Sequence, residues 1–413
     1  MANYRGDDDS NSYSGTNADD LIEGLGGDDI LRGAAGNDTI YGGDGDDFLY
    51  GQGGDDFLYG GAGDDILRSG AGVDRFAGGD GFDRVSLLSQ GADGSPTHGV
   101  IVDLERQLIL DDGFGNRERL FSIEALGATL PFADILRGSA GNNLLWGGVG
   151  DTVLGFGGDD QILMDGVAGA RIDGGEGRDE LSLAASSRFV FDTNGGLQDE
   201  LASTGVIIDL SRGRVIADGF GGAAVIRGIE DAIGNDLDSR LTGNDEANRL
   251  QGLRGDDRLS GLGGDDTLVG GTGRDILTGG AGADHFVFSG FASLGMYFDY
   301  SSGGTVVVYP IANPDSGATF STADVITDFN KAEGDVIDLS AVDAIYLADN
   351  GSPLDDAFTW LGTGRFTGAA GEARYEVRGA NTFILLEVNG EAGADMVIRL
   401  NGVHDLTASD FLL

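Results

Sequence analysis

From residue 24 to residue 86 the chain repeats itself every nine residues, reading GLGGDDILR, GAAGNDTIY, GGDGDDFLY, GQGGDDFLY, GGAGDDILR, SGAGVDRFA and GGDGFDRVS. Each block opens on glycines, holds Asp at position six and places a large apolar residue at position eight. The block at 15–23 keeps the same phase, and a weaker one at 6–14 keeps Tyr13 at position eight with Asn11 in place of the Asp. A flexible acidic linker has no reason to hold such a phase, so the period marks a stacked-repeat architecture.

Physical chemistry narrows what the nine positions do. Positions seven to nine predict a short strand whose position-eight side chain points inward, by period-two alternation. That inward set is Ile22, Leu31, Ile40, Leu49, Leu58, Leu67, Phe76 and Val85. The glycine-rich half reverses the chain, because glycine tolerates the backbone torsions of tight turns. Two repeats then make one coil, so Asp20, Asp38, Asp56 and Asp74 line one edge and Asp29, Asp47, Asp65 and Asp83 the other. Carboxylates stacked about 4.8 Å apart repel unless cations lie between them. Hard oxygen donors from Asp and from turn carbonyls suit Ca²⁺ better than Mg²⁺ or zinc.

The charge balance agrees. Seventy Asp and Glu stand against 25 Lys and Arg, a formal net charge of −45, which argues against nucleic acid or anionic membrane as a partner. The 40% hydrophobic content exceeds what a solvated acidic tail carries. With no Cys, disulfides and thiolate metal sites are excluded, and bound metal is the usual alternative staple. The first residues lack the apolar stretch of a Sec signal peptide. No apolar run approaches the roughly 18 residues of a transmembrane segment.

The block resembles the RTX (repeats-in-toxin) nonapeptide G-G-x-G-x-D-x-U-x, where U is a large apolar residue. The resemblance implies a right-handed parallel β-roll with calcium in the turns, and export by type I secretion machinery. The same block recurs from residue 252 to residue 287, with Asp257, Asp266, Asp275 and Asp284 as candidate ligands and Leu259, Leu268, Leu277 and Phe286 inward. Between the two runs the register continues with fewer ligands. Asp134, Asp160 and Asp179 hold position six ahead of Leu136, Ile162 and Leu181. Asn143, Thr152 and Ala170 are expected to replace Asp, with Leu145, Leu154 and Ile172 in the apolar slot and one repeat short by a residue near Gly155. Blocks at Ser239 and Asn248 read as equally calcium-poor while keeping Leu241 and Leu250.

Two segments interrupt the repeats and match each other. Gly99-Val100-Ile101-Val102-Asp103-Leu104 and Asp112-Gly113-Phe114-Gly115 recur 106 positions later as Gly205-Val206-Ile207-Ile208-Asp209-Leu210 and Asp218-Gly219-Phe220-Gly221. Their alternation predicts strands or hairpins beside the roll. The Asp-Gly-Phe-Gly pair reads first as a turn with a packed aromatic, and second as a repeated contact for self-assembly. Beyond Phe286 the stretches at 324–329, 335–340, 366–372, 398–403 and 406–413 resemble the C-terminal domain of serralysin-type metalloproteases. This implies a β-rich cap and an uncleaved type I secretion signal. Two features depart from that pattern: residues 290–322 are longer than the usual connector, and a calcium-loop-like stretch at 387–391 has Glu387 where Asp is usual.

No catalytic motif stands out. His98, His285 and His404 do not form H-E-x-x-H, no G-x-S-x-G occurs, and the sole lysine, Lys331, follows no phosphate loop. The repeats begin near residue 6 and are expected to leave no room for an N-terminal catalytic domain. The reading is an all-β protein, a parallel β-roll stacked in blocks. It comprises an N-terminal roll at 1–86, an inserted β segment at 87–128, a degenerate roll at 129–183, the duplicated insert at 184–233, a roll at 234–288 and a cap at 289–413. The expected function is that of a secreted, calcium-binding, self-associating structural protein without enzymatic activity. The alternatives are a calcium-dependent adhesin or toxin-like effector, and an extracellular enzyme with a site on the inserts.

Overall fold

The computed structural model describes residues 3–68, 70–87, 96–127, 132–184, 187–191, 197–290, 294–298, 306–310, 318–342, 357–388, 390 and 393–413. The chain divides into two compact units, residues 1–202 with 213–229, and residues 203–212 with 230–413.

In the first unit, alternate repeats build two parallel sheets. One runs through Asn3–Arg5, Leu21–Gly26, Thr39–Asp44, Phe57–Ala62 and Arg75–Asp80. The other runs through Ser12–Ser14, Ile30–Ala35, Phe48–Gly53, Ile66–Arg68 and Arg84–Ser86. All eight position-eight residues from Ile22 to Val85 are buried at 0–1% exposure, so each sheet contributes one inward column of the kind the repeat phase dictates. At the N-terminal coil, Tyr4 and Tyr13 fill this slot as a stacked pair, 3.9 Å between centroids.

The strands are longer than positions seven to nine. Most run six residues, through position three of the next block, and the position-one glycine also faces inward, as buried Gly24 and Gly42 do. The added residues accommodate a left-handed position two, which is not always glycine: Leu25 has φ 91, Gln52 φ 73 and Phe156 φ 77. Only positions four to six remain as the reversal.

The first insert lies within the sheet rather than beside it. Glu118–Phe121 pairs parallel with Arg75–Asp80. Leu108–Asp111 and Ile101–Asp103 follow antiparallel, and Ile101–Asp103 hands on in parallel to Ile135–Arg137. Two antiparallel steps restore the strand direction, so the roll resumes through Thr152–Gly157 and Arg171–Glu176. The opposite sheet passes through Ala125–Gly127 to Leu144–Gly147, Gln161–Met164 and Glu180–Ser182. Ala224–Arg227, the duplicate of Glu118–Phe121, pairs parallel with Arg171–Glu176 in the same way.

The second unit repeats the plan. Ile207–Asp209, Arg240–Thr242, Arg258–Gly263, Ile276–Ala281, Asp324–Ile326 and Met396–Asn401 form one parallel run. Asp231–Ile233, Arg249–Arg254, Thr267–Thr272, His285–Gly290, Val336–Val342 and Phe411–Leu412 form the other. The C-terminal segment therefore extends both sheets, and a hairpin of Glu372–Arg378 and Asn381–Glu387 joins Met396–Asn401 antiparallel. The Lys331 ammonium lies 2.8 Å from buried Asp410 and holds the last strand in place. His285 sits half-buried on its strand beside fully buried Phe286. Among the described residues no helix is long and apolar enough to cross a membrane.

Both Asp-Gly-Phe-Gly loops are turns organised by a buried Asp. Asp112 accepts hydrogen bonds from the N–H groups of Phe114 and Asn116. Asp218 accepts from those of Phe220 and Gly222, and its second oxygen accepts from Val167. Much of the 290–322 connector lies outside the described residues, as do Asn389 and Glu391 of the calcium-loop-like stretch, in which Glu387 itself is fully buried.

Candidate metal centre

Coils 18 residues apart place the position-six carboxylates in register along each edge. Each lends one oxygen to the backbone of the coil before. Asp38 Oδ1 accepts from the N–H of Asp20 at 2.7 Å, Asp56 from Asp38 at 2.8 Å, and Asp74 from Asp56 at 2.8 Å. On the other edge Asp47, Asp65 and Asp83 accept from Asp29, Asp47 and Asp65 at 2.8–3.0 Å, and Asp29 accepts from Asn11. The later rolls repeat the ladder: Asp160 to Asp179, Asp257 to Asp275, and Asp266 to Asp284.

Sequence reasoning missed several members. Glu118 and Glu124 take the N–H groups of Asp74 and Asp83 where the insert begins, and Asp324 and Asp335 take those of Asp275 and Asp284. The last two were legible as Asp-Val-Ile, the D-x-U core of the repeat. In the degenerate roll the ladder position is Asp151, not Thr152: Asp151 Oδ1 accepts from Asp134 N–H, 17 residues away. Val153, at 0% exposure, fills the apolar slot in place of Leu154. The block Gly147-Gly148-Val149-Gly150-Asp151 lacks position five, which moves the register by one. Ala170 does hold a ladder position, with Arg171 N–H bonded to Asp151 O.

A second, outer ladder runs along the exposed position-five residues in the opposite sense. Asp28 accepts from Asp46 N–H and Asp46 from Asp64 N–H, while Asp19 accepts from Asn37 and Asn37 from Asp55. The frequent Asp or Asn ahead of the position-six Asp was its sequence signal.

The inner ladder leaves charge unsatisfied. The Oδ2 atoms of Asp29, Asp38, Asp47, Asp65, Asp83, Asp160, Asp257 and Asp284 are buried with no hydrogen-bond donor. Burial pushes the carboxyl of Asp65 up to about 8 and that of Asp47 up to about 7; the N–H bond from the previous coil opposes this, and neighbouring carboxylates add to it. Asp257, Asp160 and Asp151 rise to about 7, and Asp83 and Asp284 to about 6, again chiefly through burial. At Glu118, burial with Asp74 and Asp112 close by gives about 9.

These Oδ2 atoms crowd the position-one glycines beside carbonyls of the next coil. A Cβ on Gly42 would meet Asp47 Oδ2 at 2.0 Å and Gly60 O at 2.7 Å; on Gly252 it would meet Asp257 Oδ2 at 2.3 Å and Gly270 O at 2.5 Å. Among the described residues no three acidic or histidine side chains converge, so a cation at this edge draws on a carboxylate together with turn carbonyls. That is the hard, irregular oxygen set that suits Ca²⁺. When bound, calcium supplies the positive charge that the buried carboxylates lack. Where Asn replaces Asp, the side chain satisfies itself instead: Asn143 Nδ2 donates to Glu124 O and Asn248 Nδ2 to Glu230 O.

The glycine geometry makes a direct prediction. Gly42→Ala is expected to raise the calcium concentration for half-maximal folding by about tenfold, roughly 1.4 kcal/mol. Gly53→Ala, with nothing within 4 Å of its added Cβ, leaves it unchanged. Calcium titrations followed by circular dichroism check both, and equal behaviour of the two variants would refute the site.

The family model for the RTX calcium-binding nonapeptide repeat matches at 5–40, 14–49, 23–58, 50–85, 130–162, 233–268, 242–277 and 260–291. No curated protein matches the chain. Among solved structures, one subunit of the mannuronan C5-epimerase of Azotobacter vinelandii is similar at 25% identity and a TM-score of 0.26, over 43% of this chain and 78% of that one. A second subunit of that enzyme is similar at 26% identity and 0.26, over 44% and 91%. The extracellular lipase LipA from Serratia marcescens is similar at 20% identity and 0.24, over 68% of this chain and 40% of the lipase. By the family match the nine-residue blocks within those residues are RTX calcium-binding repeats, and the chain that carries them is an all-β, calcium-binding protein with parallel β-roll sheets.

Proposed function

We propose that the protein leaves the cell unfolded through type I secretion machinery, folds on meeting extracellular calcium, and then serves as a self-assembling structural component of a surface layer, filament or matrix. In this reading the fifteen candidate aspartates, with Asp151, Asp324 and Asp335 added, hold calcium and none is catalytic. The observation that carries the assembly step is an aromatic patch on an outward sheet face. Tyr41 and Tyr59 are 38% and 39% exposed, and Tyr41 meets Phe57 and Tyr59 edge-on at 6.1 and 6.0 Å. Contiguous exposed aromatics on a soluble protein favour an interface. Electron microscopy of the purified chain is expected to give ordered arrays in calcium and dispersed chains in chelator; dispersed particles under both conditions would remove the structural role.

One observation favours a second reading. A groove of about 690 Å³ in the first unit is lined by Asp103, Glu105, Arg106, Arg137 and Glu176 together with Phe156, a half-exposed aromatic on left-handed backbone. Such a groove suits a calcium-dependent adhesin or toxin-like effector, or an extracellular enzyme using the first insert. Retention on a glycan array supports the adhesin, and turnover of polysaccharide or lipid supports the enzyme.

A further inference from the structure

The outward faces of the sheets carry an arrangement that local stability does not explain. Arg75 and Arg119 are direct register partners on adjacent parallel strands, and so are Arg240 and Arg258 in the second unit. All four are exposed, and among the described residues none forms an ion pair. Like charges directly opposite on neighbouring strands destabilise a sheet, and this occurs twice in a chain with only 25 basic residues against 70 acidic ones. The Arg75 and Arg119 pair continues the row that contains Phe57, so an aromatic patch borders it.

The same molecule carries a complementary row. Asp28, Asp46 and Asp64 stand exposed at position five on one edge, each carboxylate of the row one coil from the next and held by an N–H bond from it where a later coil follows. Their spacing is that of adjacent strands in a parallel sheet, about 4.8 Å, which is also the spacing of the paired arginines. A pair and a row of opposite sign with a common repeat let both arginines of a pair meet two successive aspartates of the row.

We propose that the arginine pairs Arg75 with Arg119 and Arg240 with Arg258 receive the Asp28, Asp46 and Asp64 row of a second copy of this chain. The contact joins a sheet face to a turn edge. It is therefore heterologous, leaves an unused edge on one copy and an unused face on the other, and propagates where the rotation does not close. This rests on the self-assembly reading above and specifies its contact.

The test uses the full chain in calcium, followed by sedimentation velocity. A face variant carries Arg75→Glu, Arg119→Glu, Arg240→Glu and Arg258→Glu. A turn variant carries Asp28→Asn, Asp46→Asn and Asp64→Asn, which keeps the N–H acceptor as Asn37 does naturally. Circular dichroism in calcium confirms that both fold. Each variant alone is expected to need at least tenfold higher concentration to associate, and a mixture of the two is expected to recover small complexes that do not grow further, because each supplies the one half the other lacks. Variants that assemble like the wild type overturn the inference while leaving self-association standing. A wild type that stays monomeric overturns the assembly reading itself. Monomers retained on polygalacturonate through the four arginines would assign them to an anionic polymer instead.

Discussion

Chelating calcium at about pH 8 is expected to abolish most of the β-sheet circular dichroism signal, and calcium is expected to restore it at about 10⁻⁴ to 10⁻³ M, the range of extracellular calcium modules. The reason is the inner ladder. At that pH Asp47 and Asp257, pushed up only to about 7, are largely ionised, and their second oxygens are buried without a donor. A buried charge with no partner costs far more than one residue's apolar burial returns. Ligand that binds the folded chain alone shifts the balance by mass action at every site. Acid is expected to replace calcium in part. The carboxyls titrate higher in the fold than in the open chain, so the calcium-free fold binds more protons than the unfolded chain between the two values. Its stability is complete below the ordinary Asp value of about 4 and is lost as pH rises through about 6 to 8. Chelated protein taken from about pH 8 to about pH 5 should regain sheet signal, while the calcium-loaded protein should change little. A chelated chain that keeps its full signal at pH 8 would show that the ladder needs no cation.

The features that this experiment tests were largely legible in the sequence because backbone geometry alone sets them. Alternation along a strand selects position eight, and all eight inward residues from Ile22 to Val85 are buried. Two repeats per coil select the 18-residue partner, and the Asp38-to-Asp56 type of bond has that separation. What escaped depends on information outside one block. Six-residue strands require left-handed backbone at position two, and Leu25 and Leu262 occupy it without advertising it. The inserts alternate as any half-buried strand does, whether it lies beside a sheet or within one, and only the two antiparallel steps distinguish the cases. Asp151 was hidden by a missing position five, which shifts a phase count by one. Glu118 and Glu124 join the ladders from a segment with no nine-residue phase, so only the tertiary register reveals them. The outer ladder was visible as a run of paired acids, but its role follows from a bond to the next coil rather than from composition.

Asp65→Asn is expected to change stability in opposite directions with and without calcium, which separates the charge of the ladder from its hydrogen bonds. Asp65 performs two tasks. Its Oδ1 accepts from Asp47 N–H at 2.9 Å, and its Oδ2 is buried, without a donor, against Gly60. Asn with its oxygen turned to Asp47 N–H keeps the first acceptor and removes the charge, and Asn248 shows that a ladder position takes an amide, its Oδ1 accepting from Asn244 N–H and its Nδ2 donating to Glu230 O, each at 2.7 Å. Without calcium, removal of the buried charge is expected to stabilise the fold by about 1–3 kcal/mol, so acid-induced folding begins at a higher pH than in the wild type. With calcium, one carboxylate ligand is lost, and the midpoint of calcium-induced folding is expected to rise about tenfold, about 1.4 kcal/mol. Asp65→Ala removes the acceptor along with the charge and leaves Asp47 N–H unsatisfied, so it should weaken calcium-induced folding further and lose the gain in acid. Parallel pH and calcium titrations of the three proteins by circular dichroism read both signs. Should Asp65→Asn leave the midpoint of calcium-induced folding unchanged, the carboxylate acts as a hydrogen-bond acceptor alone, and the cation belongs elsewhere on the edge.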